Sequence, residues 1–230
     1  MRYLSILIVV LFCCTSTDAQ TYEIGGFIGG SNLIGDVGNS AYINPNALAI
    51  GGIFRWNRSE RHSFRFSAII AKLEGDDANS GEQRRQERDY SFENRISELS
   101  VGMEYTFWEF NLNSGNPASA PYIYTGITYL FYFDNFFADN LGKQTNFDQG
   151  RALAIPIALG YKLTLGTNIL GSIEIGARYA FTDNLDGSNP VNASGDVDRA
   201  FGNINNNDWY VFTGMTFSFT FGRQPCYCNF

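Results

Sequence analysis

Few residues of this chain have the types and spacing that catalysis requires. The single histidine, His62, precedes Ser63, and a nucleophilic serine does need a histidine base. Adjacent residues of a strand point to opposite faces, however, and catalysis would also need an orienting third group and an oxyanion site. We therefore interpret His62 as a histidine at the end of a strand, near the boundary of a membrane or of solvent, and Ser63 as unrelated to it. We expect no enzyme.

Two further segments resemble binding motifs only in part. Residues 183–187 (DNLDG) lack the alternating ligands and the closing glutamate of a calcium loop. The glycine pairs at 25–26 and 29–30 precede no helix that could receive a phosphate, so we interpret them as sites of close strand packing. The sequence predicts no catalytic residue, cofactor, metal site or small-molecule substrate.

The cysteines divide between the two ends of the chain. Residues 1–19 have the pattern of a secretory signal peptide, with Arg2, an apolar run at 4–12 and small residues before Gln20. A lipoprotein signal is the less favoured alternative, because Phe12 precedes Cys13 where a lipobox has a small residue. Cleavage would leave only Cys226 and Cys228, which flank Tyr227 in the last five residues.

These last residues belong to a predicted tail, 223–230, that follows the last predicted strand, at residues 209–221. The oxidising compartments to which a secretory signal leads do not favour free thiols, and a Cys-x-Cys disulfide closes a strained ring. A partner-binding role for Cys226, Tyr227 and Cys228, with a disulfide to another protein, is therefore one hypothesis. A local disulfide or a frayed tail is the alternative.

Composition limits the possible classes of protein. The chain has 230 residues, of which 16% are aromatic and only 17% charged, with a net charge of −7. The acidic balance argues against nucleic acid as a partner, and no apolar run beyond the N-terminus is long enough for a membrane helix. An aromatic-rich chain of this kind fits a soluble β-sandwich or a membrane β-barrel.

The pattern of strands favours the barrel. Period-2 alternation predicts eight strands, at residues 22–29, 47–57, 62–73, 96–110, 122–133, 152–165, 168–182 and 209–221. Four connections, at 30–46, 74–95, 134–151 and 183–208, are long and polar, and the other three are shorter. This separation of long loops from short turns is typical of an outer-membrane barrel with both termini in the periplasm. The predicted fold is all-β, an eight-stranded antiparallel up-and-down transmembrane barrel over residues 20–222.

Each predicted strand has an apolar face and an opposite face, and the residues on the opposite face predict a lumen filled with ion pairs. We predict that four acids and four bases point inward, and that only Lys72 and Glu109 of the charged strand residues face lipid, at strand ends. An eight-stranded barrel has room for side chains but none for an aqueous channel, and buried charges persist mainly by pairing. The expected barrel-interior ion pairs involve Glu23, Arg55, Arg65, Glu98, Glu104, Lys162, Glu174 and Arg178. An ion or proton path is the alternative interpretation.

The charged segment 84–89 is interpreted as a solvated loop tip, with a contact to lipopolysaccharide phosphates as the alternative.

Several short motifs, in this order and spacing, resemble the PorG-like outer-membrane proteins of Bacteroidetes. The similarity runs from about residue 22 to 186 and includes residues 23–36 (EIGGFIGGSNLIGD), 43–46 (INPN), 75–77, 98–100, 121–122, 126, 155–156, 159–162 (LGYK), 174–176 and 181–183.

This resemblance implies a non-catalytic component of the type IX protein secretion machinery, which in gliding species also supports motility. It implies that the barrel anchors or stabilises a periplasmic ring of a PorK-like lipoprotein and a PorN-like protein. The other expected partners are outer-membrane lipid and lipopolysaccharide. A generic adhesion or lipopolysaccharide-contacting barrel, using its long loops, is the alternative function.

Overall fold

The computed structural model describes residues 21–112, 116–137, 144–190, 200–203 and 206–222. The predicted signal peptide and the predicted tail with Cys226, Tyr227 and Cys228 lie outside these residues. Eight strands are formed within them: β1 (Thr21–Ile34), β2 (Ala47–Asn57), β3 (His62–Asp76), β4 (Ser91–Thr106), β5 (Ser119–Phe137), β6 (Gln144–Thr164), β7 (Ile169–Ala180) and β8 (Trp209–Gly222).

The strands form the closed barrel that the alternating pattern predicts. Each strand pairs with its sequence neighbour, and β1 closes the barrel against β8 with Ile24 opposite Phe219. Every pairing is antiparallel. Closure leaves no unpaired edge, since the backbone groups of the first and last strands bond to each other. The fold class is confirmed.

The two ends of the barrel differ in their connections. At one end, here called the short-turn end, β2 joins β3 through residues 58–61 and β6 joins β7 through residues 165–168. At the other, the long-loop end, residues 35–46, 77–90 and 181–208 connect the strands. The second of these loops contains a 3-10 turn (Asp77–Asn79) and a short helix, α1 (Gln83–Arg88). No helix in the described parts of the chain is long and apolar enough to cross a membrane.

Several strand boundaries were predicted wrongly. β1 continues five residues beyond its predicted end, and β4 begins at Ser91 and ends at Thr106. β5 continues to Phe137, and β6 already begins at Gln144. The third long connection is therefore mostly strand, with Asp134 opposite Asp148. Hydrophobic alternation ends where a strand leaves the apolar layer, but backbone pairing continues through polar residues, which the pattern does not report.

Alternation sorts the side chains into an outer wall and an interior. Outward residues such as Ile28, Ile70, Val101 and Ile127 are about half exposed or more, whereas an adjacent residue of each is buried, namely Phe27, Ile69, Ser100 and Thr128. Aromatic residues cluster near both ends of this wall: Tyr22 with Phe54 and Phe221, and Trp56 with Phe64, at the short-turn end; Tyr129 with Phe131, and Tyr179 with Phe181 and Trp209, at the long-loop end. This is an apolar band with an aromatic girdle at each edge.

Candidate functional site

The part of the interior nearest the short-turn end holds a cluster of paired charges. Arg55 on β2 bonds Glu23 through Nη1 at 3.1 Å and Glu104 through Nε at 2.9 Å. Lys162 on β6 bonds the other oxygen of Glu104 at 2.9 Å. Asn57 Nδ2 donates to Glu23 at 2.8 Å. Two acids and two bases, each on a different strand, thus neutralise one another.

A second pair lies deeper in the barrel. Arg65 on β3 bonds both carboxylate oxygens of Glu174 on β7, and Tyr122 donates its hydroxyl to Glu174 at 2.8 Å. The Arg65 guanidinium also lies 4.4 Å from the ring centre of Tyr124. Two-point arginine–carboxylate contacts are among the stronger hydrogen-bonded pairs, so this contact fixes the distance between β3 and β7.

A third pair lies nearest the long-loop end. Arg178 on β7 approaches Glu98 at 3.5 Å, and Tyr210 donates to the other oxygen of Glu98 at 2.8 Å. The guanidinium packs over the ring of Phe212, 4.4 Å from its centre. Arginine is well suited to such a place, because its weakly hydrated plane stacks on aromatic rings.

The structure brings all eight predicted interior residues together as the interior ion-pair network, and each is at most 4% exposed. Three guanidinium nitrogens, Arg55 Nη2, Arg65 Nε and Arg178 Nε, make no hydrogen bond within the described residues. The tyrosine partners of these charges were not predicted from the sequence. Their inward parity on β5 and β8, where Tyr122, Tyr124 and Tyr210 alternate with outward residues, was the available signal.

An apolar core fills the half of the interior nearest the long-loop end. Phe27, Ile69, Ile96, Leu130 and Phe212 are each at most 4% exposed and belong to one buried cluster. Loop residue Leu185 is fully buried in the same cluster. The lumen is therefore occupied by side chains along its length. Two charge clusters lie towards the short-turn end, and the Glu98–Arg178 pair lies among residues of the apolar core.

The long loops fold over this core and are held by aspartates. Asp186 Oδ2 accepts from the backbone amides of Asp36 and Val37, at 2.7 and 3.1 Å, and its Oδ1 accepts from Ser188. Asp208 accepts from the amide of Leu185 at 2.9 Å. These contacts join residues 35–38 to 183–188, and the two segments together are called the long-loop cap.

Burial raises the pKa of three aspartates that lie in or against the cap. Desolvation raises the pKa of Asp186 and of Asp208, and it raises the pKa of Asp183 to about 6. Gly35 lies between two of these carboxylates, since a Cβ there would stand 2.7 Å from oxygens of Asp186 and Asp208. No group of three or more acidic, histidine or cysteine residues in the described parts of the chain is arranged to hold a metal ion.

The segment 84–89 is more firmly attached than its charged sequence indicated. Arg85 donates to the carbonyls of Gly35 and Gly38, and Arg88 donates to the carbonyl of Asp36 and to Asp77. The Arg88 guanidinium also lies 4.8 Å from the ring centre of Phe201. Only part of the segment is a solvated tip, because Arg85 and Arg88 of α1 hydrogen-bond to the backbone of the first long loop.

The other predicted residues lie at the edges of the barrel. His62 is exposed at the short-turn end, where its Nδ1 lies 3.2 Å from Ser59 Oγ, while Ser63 is buried and hydrogen-bonded to Asn57. Lys72 faces outward and is paired with Glu74 and Glu93. Glu109 lies beyond the end of β4, 3.2 Å from Arg61.

The short-turn end presents a mixed surface. Phe107 and Trp108 are 45% and 56% exposed beside the Arg61–Glu109 pair. Phe107 and Phe110 donate their amides to Pro121 and Glu60, which fixes the connection that follows β4. This end therefore combines ordered backbone with exposed aromatic and charged side chains.

Comparison with known proteins gives one family and a set of similar folds. A family model described as "Domain of unknown function (DUF6089)" matches residues 1–230. No curated protein matches the sequence significantly.

Among solved structures, the N-terminal β-barrel domain of Pseudomonas aeruginosa OprF is 13% identical, with a TM-score of 0.47 over 87% of this chain and 97% of that one. A major outer membrane protein from Thermus thermophilus is 12% identical, with a TM-score of 0.49 over 88% and 100%. The Yersinia pestis attachment invasion locus protein Ail, in complex with sucrose octasulfate, is 11% identical, with a TM-score of 0.44 over 88% and 99%.

Proposed function

Taking as premise that the chain belongs to the DUF6089 family, we propose that it is a non-catalytic barrel of the bacterial outer membrane. In this role it is closed to solutes and anchors a periplasmic protein assembly. The observation that carries this proposal is the filled interior. A barrel whose lumen is occupied by the interior ion-pair network and an apolar core acts through its two ends and its outer wall.

The outer wall supports a membrane location. Ile24, Ile70, Val101 and Ile173 are each about 60% exposed on outward strand positions, and placing such a continuous apolar surface in water would be unfavourable. The strands have 11 to 21 residues, which satisfies the roughly 9–11 that a tilted membrane strand needs. Barrels of this kind have short turns on the periplasmic side, so the short-turn end is assigned to the periplasm.

The short-turn end is proposed as the anchoring surface. Arg61, Trp108 and Glu109 offer an aromatic side chain and both signs of charge on an ordered backbone, and aromatic and arginine side chains are enriched in protein interfaces. The last strand, β8, ends with Gly222 at this same end. We propose that Cys226, Tyr227 and Cys228 contribute to the contact.

The resemblance to PorG-like proteins gives this surface its proposed partners. They are a PorK-like lipoprotein and a PorN-like protein of the type IX secretion ring, and the machinery is the one that also supports gliding in species that glide. Outer-membrane lipid and lipopolysaccharide surround the wall. The proposed role is mechanical attachment, for which the closed and cross-braced barrel is suited.

The test is a pair of matched variants in the native host, with insertion monitored by heat-modifiable gel mobility. Deletion of residues 223–230, and separately the substitutions Trp108→Ala with Arg61→Glu, are expected to reduce cargo secretion and crosslinking to the ring proteins. The control is Arg84→Glu, because Arg84 is exposed at the opposite end of the barrel.

Normal secretion and normal ring crosslinking in both short-turn variants would overturn the anchoring role. A defect in surface adhesion confined to long-loop variants would support the adhesion function in its place.

A further inference from the structure

Asn32 on β1 is a polar residue on the outer wall that is nevertheless buried. Outward positions of β1 have even numbers, as the 58% and 52% exposure of Ile24 and Ile28 shows. Asn32 follows the same parity, because successive side chains of a strand alternate between faces. Its side chain is only 3% exposed, so another part of the chain must cover it from outside the barrel.

The cover is the segment 41–45 of the first long loop. Asn32 Nδ2 donates to the carbonyls of Ala41 and Tyr42, at 3.4 and 3.3 Å, and Asn32 Oδ1 accepts from the amide of Asn44 at 3.3 Å. Pro45 lies against Gly30, another outward position, where an added Cβ would stand 2.5 Å from the Pro45 Cβ. The segment therefore lies on the outside of the wall, and we call residues 41–45 the loop flange.

The flange is fixed at its end. Asn46 donates its backbone amide to the carbonyl of Ser31 at 3.1 Å and its side-chain amide to the carbonyl of Glu74 at 2.9 Å. These bonds tie the segment to both β1 and β3. A segment with this many bonds holds its position without a partner.

The flange presents its apolar side chains away from the barrel. Tyr42 is 78% exposed and Ile43 is 56% exposed. Leu48, which pairs with Gly30 at the start of β2, is 61% exposed beside them. The apolar surface is thus continuous with the band formed below by Ile28 and Ile50, which pair with each other.

Charged side chains mark the level at which the flange lies. Lys72 follows Ala71, which pairs with Ala49 near the start of β2. On its other side Lys72 is opposite Arg95 on β4. Outward charges at the end of an apolar band are expected where lipid headgroups begin. The flange is at this level, and tyrosine prefers such a boundary because its ring is apolar and its hydroxyl is polar.

We propose that the loop flange is a membrane-binding element, which inserts Tyr42 and Ile43 into the boundary between headgroups and acyl chains of the surrounding leaflet. The occupant of this surface is lipid, because the surface continues the lipid-facing band and lies at the level of its bordering charges. The proposal requires the barrel to lie in a membrane, but it is independent of the ring-anchoring role.

The experiment is a spin-label depth measurement on the full chain in lipid vesicles. The four native cysteines are replaced by serine, and a nitroxide is attached at Ile43→Cys, at Ile28→Cys as the lipid-facing reference, and at Arg84→Cys as the aqueous reference. Arg84 is exposed on α1, in the next long loop. Heat-modifiable mobility confirms that each variant is folded, and Tyr42→Cys is a second flange site should Ile43→Cys fail to fold.

The measured quantity is the ratio of label accessibility to oxygen over accessibility to a water-soluble nickel chelate. We expect the flange ratio to be several-fold above that at position 84 and to approach that at position 28. A flange ratio equal to that at position 84 would overturn the proposal, since the vesicles contain no other protein that could occupy the surface. Failure of ring anchoring would leave this ratio unchanged.

Discussion

Arg65 on β3 and Glu174 on β7 meet inside the barrel through two guanidinium nitrogens and both carboxylate oxygens. The two residues are 109 positions apart in the chain, and neither strand pairs with the other. Tyr122 on β5 donates to the same carboxylate. One ion pair therefore braces three strands, and the rigidity of the barrel depends on contacts across the lumen as well as on the hydrogen bonds of its wall.

Removing one partner of the Arg65–Glu174 pair is expected to lower the free energy of unfolding. Glu174→Gln leaves the Arg65 charge buried without compensation, and loss of one partner of a buried pair typically destabilises by about 3–5 kcal/mol. The matched control is Glu109→Gln, which breaks the exposed Arg61–Glu109 pair and is expected to lower the free energy of unfolding far less, because solvent screens an exposed pair. Urea unfolding in lipid bilayers measures both, and equal costs would contradict the bracing role of Glu174.

The filled interior predicts a barrel that does not conduct. Glu98, Arg178 and Tyr210 occupy the lumen beside the apolar core, and Tyr210 and Leu185 both belong to that core. We expect no stable large conductance in planar-bilayer recordings. Arg178→Ala is expected to remain closed as well, because the apolar core still blocks the path. Stable conductance steps in the unsubstituted protein would contradict the filled lumen and favour an ion path.

The cap depends on Asp186 as a shared hydrogen-bond acceptor. Asp186→Ala would leave the buried amides of Val37 and Ser188 without their acceptor, at about 1–3 kcal/mol for each unsatisfied buried group. We expect faster hydrogen exchange in residues 35–38 and 183–188, with the strand amides unchanged. Glu87→Ala is the control, since the Glu87 side chain accepts a hydrogen bond from Gln83 on the exposed side of α1. Unchanged exchange at residues 35–38 would contradict this role.

The cap should loosen as pH rises. Burial raises the pKa of Asp183 to about 6, above its ordinary value, so the folded cap binds the proton more tightly than the open cap does. Stability is then greatest at low pH and falls as pH rises towards and through about 6, after which it is constant. Asp186, Asp36 and the donor Asn189 face this group.

Hydrogen-exchange protection factors of residues 183–190, corrected for the intrinsic rate at each pH, measure this dependence. Asp183→Asn should reduce the fall in protection between about pH 4 and pH 7, because Asn does not titrate. Protection that rises with pH, or an identical profile in the variant, would contradict the assignment.

The residue pattern alone determined the fold of this chain. Apolar residues at every second position require strands with one face in an apolar medium, and eight such strands with charged second faces require a closed barrel around them. The inward parity of Glu23, Arg55, Glu104 and Arg178 followed from the same alternation. A period-2 pattern assigns each residue to a face, and that assignment does not depend on distant contacts.

Tertiary structure decided which residues pair and where the loops lie. The alternation put Arg65 inside, but only the curvature of the closed sheet brings it to Glu174 and Tyr122. The burial of Asp186 and of Asn32 was not predictable, because each contacts a loop segment, residues 36–37 and 41–44 respectively, and the position of a loop follows no periodicity. Hydrophobic alternation is a local property of the chain, whereas the long-loop cap and the loop flange are produced by side chains that meet only after the barrel has closed.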